Sequence, residues 1–233
     1  MGNELSIPAF FNGPPTSGNG GYTCGRVAEL VGGEVVEVSL RSPPPLDTPL
    51  AVVREGDRVE LRDGDTLVAE GGPGELLLDM PDAVPAGEVA AAQEEGRALW
   101  ARGHPFPTCV VCGPAREDGF GIFPSPLPGR DGLFGACWTP DASPGAWVPP
   151  ELVWGALDCP TSAPVANFGD GPAMVLASLT ARLGCPVRAG EPHTILSWPL
   201  DEDGRKHWAA AALYDSEGVL TCASRALWIE LRE

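Results

Sequence analysis

The chain alternates short apolar runs with glycine- and proline-rich breaks, a pattern typical of many short strands joined by tight turns. In the first half, a helical stretch over residues 22–31 precedes a strand over 34–41, where apolar and polar positions alternate with a period of two. Further strands are predicted over residues 51–53, 57–61 and 66–70. This half is therefore expected to form one helix followed by an antiparallel meander.

The second half repeats that order of elements. An apolar helix is predicted over residues 151–165, behind two prolines that favour a first helical turn. The strands predicted after this helix span residues 174–182, 193–199, 206–214 and 219–231. Two such units in one chain favour sheets that join edge to edge, because the join removes an exposed strand edge.

An Ala/Glu-rich stretch between the halves predicts a connecting helix over residues 88–102. We therefore divide the chain into an N-terminal unit at residues 1–84, a connecting helix and linker at 85–105, and a C-terminal unit at 106–233. With 233 residues the chain is long enough for two units of roughly 100–120 residues, each with its own core.

Two segments carry a resemblance to a known family. Ser17-Gly-Asn-Gly-Gly-Tyr22 is a glycine-rich loop leading into the first helix, and Pro150-Glu-Leu-Val-Trp-Gly-Ala-Leu-Asp-Cys159 forms the second helix. With a sheet wrapped around each helix, the chain resembles the double-hotdog acyl-CoA thioesterases over nearly its whole length. The resemblance implies an α+β fold, a tandem hotdog, and hydrolysis of an acyl-CoA or acyl-carrier thioester without a cofactor.

The resemblance also implies site residues. Asp158 matches the helix carboxylate of the family, and its apolar neighbours would raise its pKa by desolvation. Gly20 and Gly21 resemble the loop glycines whose amides hold an oxyanion, and Asn19 stands where many members have a His. The substrate-binding candidates are Trp154, Thr161 and Ser162. Structural roles stay open as alternatives, since an Asp can cap a helix end and a glycine cluster can be a plain turn.

The segment Cys109-Val-Val-Cys112, followed by a glycine, is half of a zinc-binding pattern. His104 is a candidate third ligand, and Cys137 or Cys159 a candidate fourth. Because the sequence has no second Cys-x-x-Cys, a structural turn, a metal site and a redox pair all stay open. We therefore assign no metal ligand from the sequence.

Composition narrows the choice of partners. The net charge of −17 opposes binding to a phosphate backbone, so no nucleic-acid partner is expected. The sequence contains no run of about 18 apolar residues, so no membrane span is expected. The N-terminus also lacks a secretory signal. Seven scattered cysteines then indicate reduced thiols in the cytoplasm. A double hotdog already contains the pairing that single hotdogs reach by dimerising, so monomer and homodimer are both allowed.

Two other functions are weighed against a thioesterase. The missing His before the glycines favours a non-catalytic protein that binds an acyl group or another small ligand. A hydratase is disfavoured because that chemistry needs a paired Asp and His beside the glycine-rich loop, where the first helix offers only Glu29.

Overall fold

The computed structural model describes residues 3–142, 145–166 and 172–232. Its α-helices are α1 (Gly20–Val31), α2 (Ala86–Gly103) and α3 (Pro150–Asp158). Its strands are β1 (Glu4–Leu5), β2 (Val35–Leu40), β3 (Leu50–Glu55), β4 (Arg58–Asp63), β5 (Thr66–Pro73), β6 (Ser125–Pro126), β7 (Phe134–Trp138), β8 (Met174–Leu183), β9 (His193–Asp203), β10 (Lys206–Tyr214) and β11 (Leu220–Glu230).

These strands form one antiparallel sheet in the order β1-β3-β4-β5-β2-β8-β11-β10-β9-β7-β6. The meander β3-β4-β5 with β2 in the first half corresponds to β9-β10-β11 with β8 in the second. The two sets meet where β2 pairs with β8, as expected from the preference for covering strand edges. Val38 lies opposite Leu179 at this joint, and both side chains are fully buried. The joint is therefore part of the core.

The helices α1 and α3 hold equivalent places, each ahead of the strand at the joint. Helix α1 packs on β2, β4 and β5, while α3 packs on β8, β10 and β11. The two helices also cross closely at a glycine, since a Cβ on Gly25 would lie 2.6 Å from the Glu151 Cα. This is the tandem hotdog arrangement that the resemblance implies.

Helix α2, the connecting helix, packs on the opposite face of the second-half sheet. Its Val89 and Ala92 join Leu196 and Ala212 in a small apolar cluster, whereas Ile195 belongs to the main core. Neighbouring residues of a strand point to opposite faces, so this cluster lies behind the sheet. Within the described residues, no helix combines the length and the apolar character needed to cross a lipid bilayer.

The structure differs from the sequence-based predictions in two strands and one helix. Strands β6 and β7 lie in residues 120–147, a Pro/Gly-rich segment ahead of α3 for which no strand is predicted above. Strand β7 is stabilised by pairing with β9, a distant partner that local periodicity does not reveal. The second helix is also shorter than the predicted 151–165. It ends at Asp158, and a 3-10 turn (Cys159–Ser162) follows, because Pro160 has no backbone N–H to continue the ladder.

Candidate active site

A cavity of about 720 Å³ is lined by both halves of the chain. Its walls come from the glycine-rich loop before α1, the end of α2, the Cys-x-x-Cys segment, the end of α3 and the strands β8 and β11. The lining is mostly apolar, with Met174, Leu176 and Trp228 on the walls and Asn19 and Asp158 among the polar groups. Its size and lining are those of a small-molecule site.

Helix α3 carries Asp158 to this cavity as its last residue. The apolar side chains of Val153, Ala156 and Leu157 bury the helix in the core, and Asp158 is only 2% exposed. The Thr161 hydroxyl donates to the Asp158 backbone carbonyl at 2.6 Å, which satisfies a carbonyl at the helix end. The helix end is thus held firmly, with its carboxylate in the protein interior.

The N-terminus of α1 meets this carboxylate. The Gly21 backbone N–H donates to Asp158 Oδ2 at 2.8 Å, and Asn19 Nδ2 donates to the same oxygen at 3.2 Å. Asn19 is also the N-cap of α1, because its Oδ1 accepts from the Tyr22 N–H at 2.8 Å. A carboxylate at this end of a helix is favoured by the helix dipole.

The second carboxylate oxygen, Asp158 Oδ1, is buried and has no hydrogen-bond partner among the described residues. Burial raises the pKa of the Asp158 carboxyl to about 7; the Gly21 amide lowers it in part, the nearby Cys109 raises it, and Asn19 lowers it. The carboxyl group therefore combines one anchored oxygen with one that is left for another partner.

The two glycines differ in what their amides contact. The Gly21 N–H is used by Asp158, and a Cβ at Gly21 would lie 2.3 Å from the Asp158 Cβ, so this position requires glycine. Gly20 lines the cavity and supplies the first N–H of α1, which has no acceptor within the helix. Of the two glycines, Gly20 is the one that lines the cavity.

The predicted substrate-binding residues are separated by the fold. Ser162 lines the cavity, where its hydroxyl donates to the Cys159 carbonyl at 2.8 Å. Thr161 is fully buried away from the cavity, and its hydroxyl accepts from Trp228 Nε1 at 2.8 Å. Trp154 is buried at the crossing of α1 and α3, where its carbonyl faces Gly21. Neither Thr161 nor Trp154 is therefore placed to contact a ligand in the cavity.

Three buried thiols gather beside Asp158. The Sγ atoms of Cys109, Cys112 and Cys159 all lie within 4.8 Å of one another, and all three residues line the cavity. Hydrogen bonds from Cys112 and then Cys159 hold the pKa of the Cys109 thiol well below its ordinary value, against the effect of burial. Cys137, the other candidate fourth ligand, instead points its Sγ at the Ala86 carbonyl.

A tryptophan and an arginine also line the cavity. Trp228 lies on β11, with its indole at the cavity wall. Arg41 lies at the end of β2 and lines the cavity while pairing with Glu70 at 2.6 Å. Three arginines near the ends of second-half strands do not line this cavity: Arg182, Arg188 and Arg225.

Comparison with solved structures shows the same fold. A conserved protein of unknown function with a hot dog fold from Alicyclobacillus acidocaldarius has a TM-score of 0.63 at 10% identity, over 99% of this chain and 93% of that chain. The TesB protein of Mycobacterium avium subspecies paratuberculosis has a TM-score of 0.56 at 14% identity, over 99% and 89%. Acyl-CoA thioesterase II TesB2 of Mycobacterium marinum has a TM-score of 0.56 at 12% identity, over 91% and 90%.

No model of a protein family matches the sequence, and neither does any curated protein. The structural likeness extends over nearly the whole chain and includes both hotdog units. The protein is therefore a tandem hotdog. More particularly, it shares its fold with the TesB-like structures, which confirms the fold implied by the two segments of the sequence.

Proposed function

We propose that the protein hydrolyses an acyl thioester of CoA or of a carrier-bound phosphopantetheine. The observation that carries the proposal is the Asp158 carboxylate. It lines a mostly apolar cavity at the N-terminus of α1, and its Oδ1 has no hydrogen-bond partner within residues 3–142, 145–166 and 172–232. Thioester hydrolysis needs a group that activates water and a donor that stabilises the oxyanion. The end of α3 and the start of α1 supply these two kinds of group side by side.

In the proposed reaction, Asp158 Oδ1 takes a proton from a water molecule as the water oxygen adds to the thioester carbonyl carbon. The carbonyl oxygen becomes an oxyanion, towards which the Gly20 N–H donates. The C–S bond then breaks, and the leaving sulfur receives the proton from Asp158. The products are a carboxylic acid and a thiol, and Asp158 returns to its carboxylate form.

The cavity also suggests how the substrate lies. Met174 and Leu176 offer apolar walls for an acyl chain. Arg41, whose side chain is 54% exposed, is the residue we assign to the anionic handle of the substrate. Because the chain carries a net charge of −17, the overall field does not attract an anion, and a local cation is needed to hold one.

A non-catalytic binding protein is the second candidate. The observation in its favour is that the Gly21 N–H, one of the two expected oxyanion donors, is already bound to Asp158. In this case Asp158 only caps α1, and the cavity holds an acyl group or another small ligand.

A hydrolysis assay over a series of acyl-CoA chain lengths separates the candidates. We expect Asp158→Asn, which keeps the shape and an acceptor for Gly21, to slow hydrolysis by roughly 10²–10⁴-fold. Asp131→Asn on the exposed surface is the matched control and should leave the rate unchanged. Equal rates for wild type and Asp158→Asn would exclude the assigned role.

Thermal melts in the presence of acyl-CoA complete the comparison, since a ligand that binds only the folded state raises the melting temperature. A wild type that is stabilised by acyl-CoA yet hydrolyses none of the series would favour the binding protein. Stabilisation of Asp158→Asn by acyl-CoA, with hydrolysis lost, would favour the thioesterase.

A further inference from the structure

The thiols of Cys109, Cys112 and Cys159 are arranged as ligands of one ion. The Sγ atoms of Cys109 and Cys159 are 3.8 Å apart, and all three lie within 4.8 Å of one another. A tetrahedral zinc ion with Zn–S bonds of about 2.3 Å places its sulfur ligands about 3.8 Å apart. The cluster therefore has the spacing of a zinc–thiolate site.

The Cys-x-x-Cys segment forms a tight turn. The turn brings the Cys109 and Cys112 sulfurs within 4.8 Å of each other. The Gly113 N–H closes the turn on the Cys109 carbonyl at 2.9 Å, and a Cβ at Gly113 would lie 2.5 Å from both the Cys109 nitrogen and its carbonyl oxygen. The turn thus depends on glycine at this position.

Two side chains place N–H groups close to the cysteine sulfurs. His104 Nδ1 accepts from the Phe106 N–H at 2.9 Å, so the neutral ring carries its proton on Nε2, which lies 3.2 Å from the Cys112 sulfur. Asn19 Nδ2 lies 3.8 Å from the sulfurs of both Cys109 and Cys159. His104 is therefore oriented as a donor to a thiolate instead of as a ligand, and N–H donors of this kind surround metal-bound sulfur.

We propose that Cys109, Cys112 and Cys159 bind one zinc ion, with the fourth coordination position opening into the cavity. All three cysteines line that cavity, and with His104 acting as a donor the part of the chain that the structure describes supplies three ligands. Three protein ligands and one open position characterise sites at which zinc meets a small molecule, whereas structural sites are closed by four. The proposal does not depend on thioester hydrolysis, and its test has a separate readout.

The first test is the metal content of the protein purified without chelators, with about one zinc ion expected per chain. Cys109→Ser, Cys112→Ser and Cys159→Ser should each lose nearly all of the zinc. Cys222→Ser, which changes a buried thiol outside the cluster, is the matched control and should retain it. A wild type free of metal that also takes up no added Zn²⁺, or cluster variants that keep normal zinc with native circular dichroism, would overturn the proposal.

Cobalt substitution of the wild type keeps the proposal testable if the serine variants fail to fold. Chelator-stripped protein titrated with Co²⁺ should show thiolate-to-cobalt charge transfer and tetrahedral d–d bands that saturate near one equivalent. Adding 2-mercaptoethanol should shift these bands, because its sulfur enters the open position. Bands that do not respond would exclude an open position, and His104→Gln should weaken affinity roughly 10–100-fold without removing the tetrahedral spectrum.

Discussion

The Gly21 amide donates a 2.8 Å hydrogen bond to the carboxylate of Asp158, which lies 137 residues further along the chain. The bond joins the first turn of α1, whose N–H groups have no acceptors within the helix, to the last residue of α3. The same contact thus links the two hotdog units and anchors one oxygen of the proposed catalytic group. Changes at this contact are expected to affect both stability and activity.

Gly21→Ala should destabilise the protein strongly. The added Cβ would lie 2.3 Å from the Asp158 Cβ and 2.6 Å from the Trp154 carbonyl oxygen, so α1 and α3 must move apart. We expect a loss of about 2 kcal/mol or more in the free energy of unfolding, measured with urea. Gly87→Ala is the control, since its Cβ meets nothing within 4 Å and should stabilise α2 by about 0.5 kcal/mol. Equal unfolding midpoints for the two variants would contradict the close crossing.

Replacing Asn19 should lower the stability of the protein even when the new residue is another good N-cap. Asn19→Ala removes the N-cap of α1 and should lower stability by about 1–2 kcal/mol. Asn19→Asp restores a capping oxygen but turns a carboxylate towards Asp158 in the place of the Nδ2 donor, so it should be no more stable than Asn19→Ala. Asn19→Ser keeps the cap without the charge and should be the most stable of the three. A wild-type melting temperature for Asn19→Asp would show that the contact with Asp158 has no energetic weight.

Arg116 is expected to hold residues 10–12, ahead of the glycine-rich loop, against the segment that follows Cys112. Its side chain is 11% exposed, donates to Asn12 Oδ1 and lies over the Phe10 ring at 4.6 Å. Arg116→Ala should lower the unfolding free energy by about 1.5–3 kcal/mol, because a charged donor is removed from partly buried partners. Arg130→Ala removes an exposed ion pair with Glu88 and should change it by less than about 1 kcal/mol. The prediction fails if both substitutions have equally small effects in chemical unfolding.

The Trp228 indole and the Thr161 hydroxyl should be energetically coupled. Trp228 Nε1 donates to Thr161 Oγ1 at 2.8 Å, and that hydroxyl donates onward to the Asp158 carbonyl at 2.6 Å. Trp228→Phe and Thr161→Val should each destabilise by about 1–3 kcal/mol, since each leaves buried polar groups unpaired. In a double-mutant cycle we expect a coupling of at least about 0.5 kcal/mol, and additive effects would refute the shared network.

The order of elements was predictable because it rests on local patterns. The alternation in residues 34–41 marks β2, and the apolar strand over 206–214 coincides with β10. Strand β7 was not predictable in this way, since Gly135 interrupts its short apolar run and its pairing with β9 supplies the stability. Local periodicity therefore predicted the strands at the β6–β7 edge of the sheet least well.

The sequence predicted individual residues of the candidate site but not the contacts between them. Asp158 could be singled out because an acidic residue in an apolar helix is unusual, and its catalytic role stays a prediction. Its contact with Gly21 arises from the crossing of two helices, which no spacing in the sequence encodes. The approach of Cys159 to Cys109, 50 residues apart, has the same origin. The Cys-x-x-Cys pattern alone therefore left the turn, metal and redox alternatives open.

The pairing of β2 with β8 joins two hotdog units of one polypeptide, and this affects how the sequence can evolve. In a symmetric dimer of single hotdogs, one gene must encode both central helices, so every substitution appears twice. Here α3 ends in Asp158, while the corresponding position of α1, counted from the first residue of each helix, holds the apolar Ala28. Joining the units in one polypeptide lets each helix change independently, so that one can carry the carboxylate and the other the amide donor of the proposed reaction.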